Sequence, residues 1–376
     1  MEIIHTHQSA EWLKVLSQCA HDIYHLPGFH FAAERNGEGE AKLFVYRGGG
    51  FIIALPLLLR PLDQLAVIGE AARGWKDATS VYGYSGPVVS DPNIPDTVRI
   101  DFQRTLDSAL RQERVVSVFS RFHPLLAQTH LVAGLGDCLL SGTTVSIDLT
   151  LSEAEQRARY RRDHRKSLRQ LRESGVVCRY AGRESMPSFV HMYRETMSRI
   201  GADQWYFFDD EYFNNLLSGL GFRSHLHLFL CELEGKEIAS MLVGTCCGIA
   251  QTFLSASLDG YTKYAPTKLA IDTVRSWATN ERLKYFHLGG GVGGKRDSLF
   301  YFKAGFSDRT HDFITWRWVN DPEFYGHLCH EMTRWNERNR RRPVSSDYFP
   351  EYRCNSVPME AEEMAVAIDP PRPSLK

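Results

Sequence analysis

Net charge is almost absent from this chain: 44 Lys and Arg stand against 45 Asp and Glu, leaving −1. A balance this close excludes a protein that is, as a whole, an electrostatic sponge for nucleic acid or membrane, so an anionic partner must meet a local patch. Long apolar runs are missing too. The longest, Phe51 to Leu59, falls well short of the ~18 residues of a membrane-spanning helix and reads as a buried strand. The opening MEIIHTHQSAEW lacks the basic and then apolar segments of a secretory leader. Eight cysteines are scattered without a CxxC pair, which predicts core thiols of a reducing, cytoplasmic compartment rather than disulfides. There is no HExxH and no GxSxG. His21 and His25 stand at i, i+4 with only His30 nearby, so no metal is expected.

What is present is an ordinary globular composition, 43% hydrophobic and 24% charged over 376 residues, enough for about two domains. The first, residues 1–145, mixes helices and strands, with KLFVYRGGGFIIALPLLLR as two strands joined at Gly48, Gly49 and Gly50. The second is placed at 146–350 and opens on the alternating, β-branched TTVSIDLT. Ser152 and Glu155 form a capping-box pattern that predicts one long helix running to Gly175. HLHLFLCEL, IASMLVGTC and QTFLSASL read as a three-strand meander, followed by a helix and the strand KYFHLGG. Residues 351–376, rich in Pro, Glu and Ala towards the end, are expected as a flexible tail. The fold class is α/β (α+β), two units each with a mixed central sheet flanked by helices, packed around a cleft.

Four motifs carry chemistry. The stretch HLGGGVGGKRDSLFYFKAGF ends a strand in five glycines within six residues, Gly290 and Gly291 among them, before a short helix with Asp297 as its N-cap. It formally contains GxGxxG and nearly a Walker A, but it lies too late in the chain for a nucleotide unit; a substrate loop beside Asp297 and Lys303 is the better reading, a bare surface loop the plainer one. WKDATSVYGYSGPV makes a rigid aromatic turn in which Tyr82 and Tyr84 offer apolar faces and hydroxyl handles to a pocket; its plainer reading is a packed turn. Arg121 and His123 end a buried strand, and a histidine there suits general-base work, although a lone histidine is more often structural. Residues 157–172 hold seven Arg, one Lys and one Asp. Arg161, Arg165, Arg169 and Arg172 fall on one stripe, where like charges call for an anionic partner such as a phosphate.

Together the YGYSGP turn, the Arg-Lys-Ser-Leu-Arg helix ending in Glu-Ser-Gly-Val, the Tyr-Ala-Pro-Thr-Lys-Leu helix start and the Phe-Lys-x-Gly-Phe stretch resemble the Fem-type aminoacyl transferases of peptidoglycan bridge synthesis and their relatives, the BioF2-like acetyltransferases of the GNAT superfamily, over residues ~10–320. The resemblance implies two GNAT-like domains around a cleft and transfer of an acyl or aminoacyl group to an amine. It implies that Lys303 stabilises the transition state and that Arg165 or Arg169 contacts substrate phosphate. The family's acidic base is replaced here by His123, with Asp77 in reserve. The stretch that would bind the donor runs from Tyr264 to Lys268, with no glycine and a Pro266 that lacks an N–H, unlike the glycine-containing pyrophosphate loop of CoA-dependent relatives.

The resulting expectation is an acyltransferase without metal or redox cofactor, forming an amide from aminoacyl-tRNA and the amine of a small molecule, peptide or glycan. His123 or Asp77 would remove a proton, while Lys303 and the helix start near Asp297 steady the oxyanion. Two alternatives stand beside it: an acyl-CoA-dependent N-acyltransferase on the same fold, and a non-catalytic module that binds a phosphorylated ligand.

Overall fold

The computed structural model describes residues 1–65, 67–218, 222–345 and 347–358. Its strands are β1 Glu2–His5, β2 Glu40–Gly48, β3 Phe51–Pro61, β4 Lys76–Thr79, β5 Val88–Val89, β6 Val115–Arg121, β7 Asp137–Asp148, β8 Val177–Ala181, β9 Leu226–Leu233, β10 Lys236–Cys246, β11 Ile249–Ser257, β12 Tyr285–Gly290 and β13 Thr310–Val319. Its helices are α1 Ser9–Leu16, α2 Pro27–Arg35, α3 Asp96–Gln112, α4 Glu153–Ala158, α5 Arg162–Glu173, α6 Met186–Arg199, α7 Asp210–Ser218, α8 Thr267–Asn280, α9 Ser298–Lys303 and α10 Pro322–Arg338.

The fold is mixed α/β, as the sequence predicts, but the two halves share one sheet. Its order is β1-β2-β3-β4-β6-β13-β7-β12-β11-β10-β9-β8, with β5 beside β3. The join is made by β7 and β13. Strand β7 pairs with β13 over most of its length and with β12 at its end, while β13, from late in the chain, lies antiparallel to β6 of the first half. The expected boundary at 145/146 therefore falls inside β7. No periodicity in sequence could show this, because pairing partners 137 or more residues apart are chosen by tertiary contact.

Each element has a local cause. In β3 the run from Ile53 to Leu59 is continuously buried, which fits a strand covered on both faces. The β9–β10 hairpin turns on Glu234 and Gly235, both at positive φ, the conformation that a two-residue hairpin turn matching strand twist requires. In the second half the meander strands alternate. Leu228, Leu230, Leu242 and Leu254 face a core with Trp12, Phe29, Phe189 and Phe213 from α1, α2, α6 and α7. Phe229, Met241 and Val243 face the opposite core, built on Ala270, Val274 and Ala278 of α8. A third core packs Phe102 and Leu106 of α3 against Val118 and Trp316.

Two expectations need correcting. The single helix from Ser152 is two, α4 and α5, although the Ser152–Glu155 capping box forms as predicted. Between them Tyr160 is buried, its hydroxyl donates to Asp272 at 3.0 Å, and the Arg161 N–H turns away to Gly305 O at 2.9 Å. Residues 351–358, expected within the tail, carry a short helical turn and a strand pairing Ser356–Pro358 with Arg341–Pro343. Tyr352 is fully buried there and bonds Ser117 at 2.8 Å. The rest of the expected tail, 359–376, lies outside the described residues.

Candidate active site

Strands β11 and β12 run parallel and hold register for only three pairs, Ile249–Gln251 against Tyr285–His287. Beyond that, β12 continues against β7 and its last residues, Gly289 and Gly290, lie where β11 no longer covers them. Two polar side chains converge here from different halves of the chain. Lys303 Nζ donates to Gly290 O at 2.6 Å. A Cβ on Gly289 would stand 3.3 Å from Lys303 Nζ and 3.4 Å from the Tyr84 hydroxyl, so the missing side chain, at φ +77°, is what lets the two groups approach the backbone.

Short-range structure fixes each partner. Lys303 ends α9, whose Phe300 is buried in the core together with Phe306 just beyond it. Asp297 caps α9 by accepting the Phe300 N–H at 2.9 Å, and its other oxygen accepts the Val292 N–H at 2.9 Å, closing the glycine loop. Gly291 packs directly against Lys295 O and the Asp297 carboxylate and has no room for a side chain. Burial pushes the Lys303 ammonium down to about 8, with Asp297 partly opposing. Tyr84 stands edge-on to Tyr24, His123, His287 and Phe313. Burial raises its hydroxyl to about 12, and a backbone hydrogen bond from Gly290 offsets part of this.

His287 was not singled out from the sequence. It is fully buried on β12, its ring 5.2 Å from that of Tyr84. Gln251 donates its amide N–H₂ to Thr252 O and so presents its oxygen to His287 Nδ1 at 2.6 Å. Nδ1 therefore carries the ring proton, and Nε2 keeps its lone pair, buried and without a partner among the described residues. Burial, then the neighbouring His123, His311 and Lys303, hold His287 well below the usual histidine range, so it is neutral. The signal in sequence was its place at the head of the glycine stretch.

The other expected site residues divide. His123 is adjacent, its ring 5.7 Å from that of His287, but both nitrogens are occupied: Nδ1 accepts the Leu125 N–H at 3.1 Å and Nε2 donates to the buried Asp22 carboxylate at 2.9 Å. This corrects its expected role as base, since no lone pair is free. Asp77 is also corrected. It is fully buried and pairs with Arg60 at 2.7 Å and with Arg353, with the Tyr352 hydroxyl nearby, as an anchor for the end of the described chain. Asp297 itself occupies the start of α9, its carboxylate taking the Phe300 amide there and the Val292 amide of the loop, so a negative charge already sits where an oxyanion would bind.

Arg121 lies with its guanidinium 5.0 Å from the Phe119 ring and has no hydrogen bond or ion pair through its side chain among the described residues. Burial lowers its pKa against the opposing influence of Tyr82, Tyr348, Tyr206 and Tyr84. Tyr82 packs on Trp205 and Tyr206, at 4.9 and 5.9 Å between rings. On α5 the expected phosphate contacts fare differently. Arg165 donates to the carbonyls of Ala158 and Tyr160, securing the α4–α5 break. Arg169 is exposed, with Glu173 3.8 Å away. Arg172 ties α5 to Asp272 of α8 at 2.5 Å.

At the donor end, Lys268 Nζ donates to Ser167 Oγ at 3.1 Å. Tyr264 is exposed beneath the Lys263 cation. Pro266 has no N–H, and the amides of Lys268 and Leu269 are already bonded to Ala265 O and Pro266 O. The start of α8 therefore lacks the free amide cluster that cradles a pyrophosphate. No helix among the described residues is long and apolar enough to cross a membrane.

Comparison with known proteins bears on the fold. Residues 158–303 match the family model for the acetyltransferase (GNAT) domain. No curated protein matches the sequence. Among solved structures, FemX superposes with a TM-score of 0.66 at 14% identity, covering 87% of this chain and 99% of that one. L-PGS from Bacillus licheniformis gives 0.54 at 12% identity, covering 83% and 92%. At such identities the likeness is one of fold. Residues 158–303 thus resemble the acetyltransferase (GNAT) domain, and the chain shares the fold of FemX.

Proposed function

We propose that the chain transfers an aminoacyl group from aminoacyl-tRNA to an amine at the Gly289–Gly290 edge. The observation that carries acyl transfer to this place is the convergence of Lys303 and Tyr84 on Gly289, with the free Nε2 of His287 beside them. The acceptor nitrogen attacks the ester carbonyl carbon and a C–N bond forms. His287 Nε2 takes the proton the amine gives up. Lys303, charged below about pH 8, stabilises the developing oxyanion. The C–O bond then breaks, and the leaving ribose oxygen takes a proton from the Tyr84 hydroxyl, which stays protonated at neutral pH. Arg121, beside Tyr82 and Tyr206, would receive an anionic group of the acceptor.

The donor assignment rests on the start of α8, where the backbone amides are spent, and on the exposed basic face of α4–α5, where Arg162 and Lys166 have no ion-pair partner among the described residues. The test is transfer of a labelled amino acid from a charged-tRNA mixture to an amine acceptor, with and without prior RNase. Transfer abolished by RNase is expected. Efficient use of acetyl-CoA instead would assign the chain to the CoA-dependent reading, and ligand binding without turnover to the non-catalytic one.

A further inference from the structure

A second constellation lies away from this site, at the β10–β11 turn. Cys246 ends β10 and pairs with Ile249, so Cys247 and Gly248 form a two-residue turn, both at positive φ. That turn leaves Cys247 exposed while Cys246 is buried. His21 reaches the turn from the loop after α1, in the first half of the chain, and its Nδ1 stands 3.4 Å from Cys247 Sγ. Cys246 Sγ lies 3.9 Å from Cys247 Sγ, and all three donor atoms fall within 4.8 Å of one another.

The protons decide what this cluster is. His21 Nδ1 is also 2.9 Å from the Cys19 carbonyl oxygen, which only accepts. Nδ1 must therefore carry a hydrogen, and the same N–H faces the Cys247 sulphur. A metal ligand would need a lone pair on that nitrogen, so the arrangement is that of an imidazole N–H and the Cys246 thiol both donating to one sulphur. The two contacts, Cys246 first and His21 second, lower the Cys247 thiol well below its ordinary range. Burial of His21 is the largest single influence and works against its protonated form, but the Cys247 contact, the Cys19 carbonyl and the Asp22 charge together outweigh it and its pKa is raised. Exposure, an adjacent cation and a lowered pKa are the environment of a reactive cysteine.

We propose that Cys247, with His21 as its proton partner, is a nucleophilic thiol and the site at which the chain is oxidised by hydroperoxides. The sulphur attacks the terminal peroxide oxygen; an S–O bond forms as the O–O bond breaks. The departing alkoxide, or hydroxide from hydrogen peroxide, takes the proton from His21 Nδ1. Sulphur loses two electrons and becomes a sulfenic acid, while the peroxide is reduced to an alcohol or water. Oxidation removes the charge that holds His21 to the turn, and with it a tie between the loop before Asp22 and the second half.

The experiment exposes the folded protein to limiting hydrogen peroxide at pH 7 with dimedone, a trap for sulfenic acids, and maps all eight cysteines by peptide mass spectrometry. Cys138 is the internal reference, being exposed but with its thiol raised by burial and by Asp137. An ordinary thiol is only a few per cent thiolate at this pH, so Cys247 should be trapped about tenfold or more faster than Cys138. His21→Ala should remove most of that advantage. Equal trapping of the two cysteines in the unmodified protein would overturn the proposal. So would one equivalent of zinc on the purified protein that is lost in Cys247→Ser, since the cluster would then be a metal site.

Discussion

At the scale of single residues, the contrast between His123 and His287 shows how chemistry is assigned by hydrogen-bond partners rather than by residue type. Both are buried and both lie beside Tyr84. His123 spends one nitrogen on a backbone amide and the other on Asp22, whereas Gln251 takes only one nitrogen of His287. Asp77 shows the same rule for carboxylates: an acid held between two arginines is an anchor, not a base. A pair of substitutions separates these roles. Asp77→Asn leaves two arginines facing a neutral side chain, and breaking a buried pair costs about 3–5 kcal/mol, so thermal unfolding should begin several degrees lower while kcat at low temperature stays near that of the unmodified enzyme. His287→Gln should keep the melting temperature and reduce kcat by about 10²-fold or more, the usual contribution of a positioned base. Unchanged melting of Asp77→Asn in calorimetry, or unchanged turnover of His287→Gln, would contradict the assignment.

Among elements, the glycine loop and the α4–α5 pair place the site. Gly291 is the tightest point of the loop, facing Lys295 O and the Asp297 carboxylate. Gly291→Ala must push Asp297 from its bonds to Val292 and Phe300, which frays α9 and moves Lys303. Activity should fall at least tenfold, because roughly an ångström of misplacement is enough for such a loss, with little change in melting temperature; circular dichroism alongside kinetics checks both. Much of this level was legible in sequence. The glycine strand end, the Asp297 cap, the Ser152–Glu155 box and the i, i+4 stack of Ala270, Val274 and Ala278 are local patterns, and each forms as read. The break between α4 and α5 was not legible, because it is enforced by contacts from Asp272 and Gly305, more than 100 residues away. The free lone pair of His287 was hidden for the same reason: Gln251, on the neighbouring strand, creates it.

On the scale of the whole molecule, the two units recognisable in sequence share one sheet and part of their core. β13 closes the sheet between β6 and β7, Tyr352 and Arg353 return to Ser117 and Asp77 of the first half, and Phe29 of α2 shares a core with Phe222 and Phe253. A sheet and a core held in common imply that neither half unfolds while the other stays intact. Differential scanning calorimetry should show one transition with calorimetric and van't Hoff enthalpies in agreement; two resolved transitions would contradict a shared core.

The shared sheet also brings Tyr84, from the first half, to Lys303, from the second, and the central claim is that acyl transfer occurs where they meet. Lys303→Met keeps the bulk of the stem and removes the charge. Steady-state kinetics of this variant against the unmodified enzyme, across pH 6 to 10, is the most direct measurement. The account predicts a fall in kcat of about 10²-fold or more, since losing one oxyanion donor costs ~2.7–4 kcal/mol, with KM little changed. In the unmodified enzyme activity should decline as pH rises through about 8, where Lys303 gives up its proton, and the variant should lack that limb. A folded Lys303→Met enzyme that turns over within about threefold of the original, with the same alkaline limb, would contradict it.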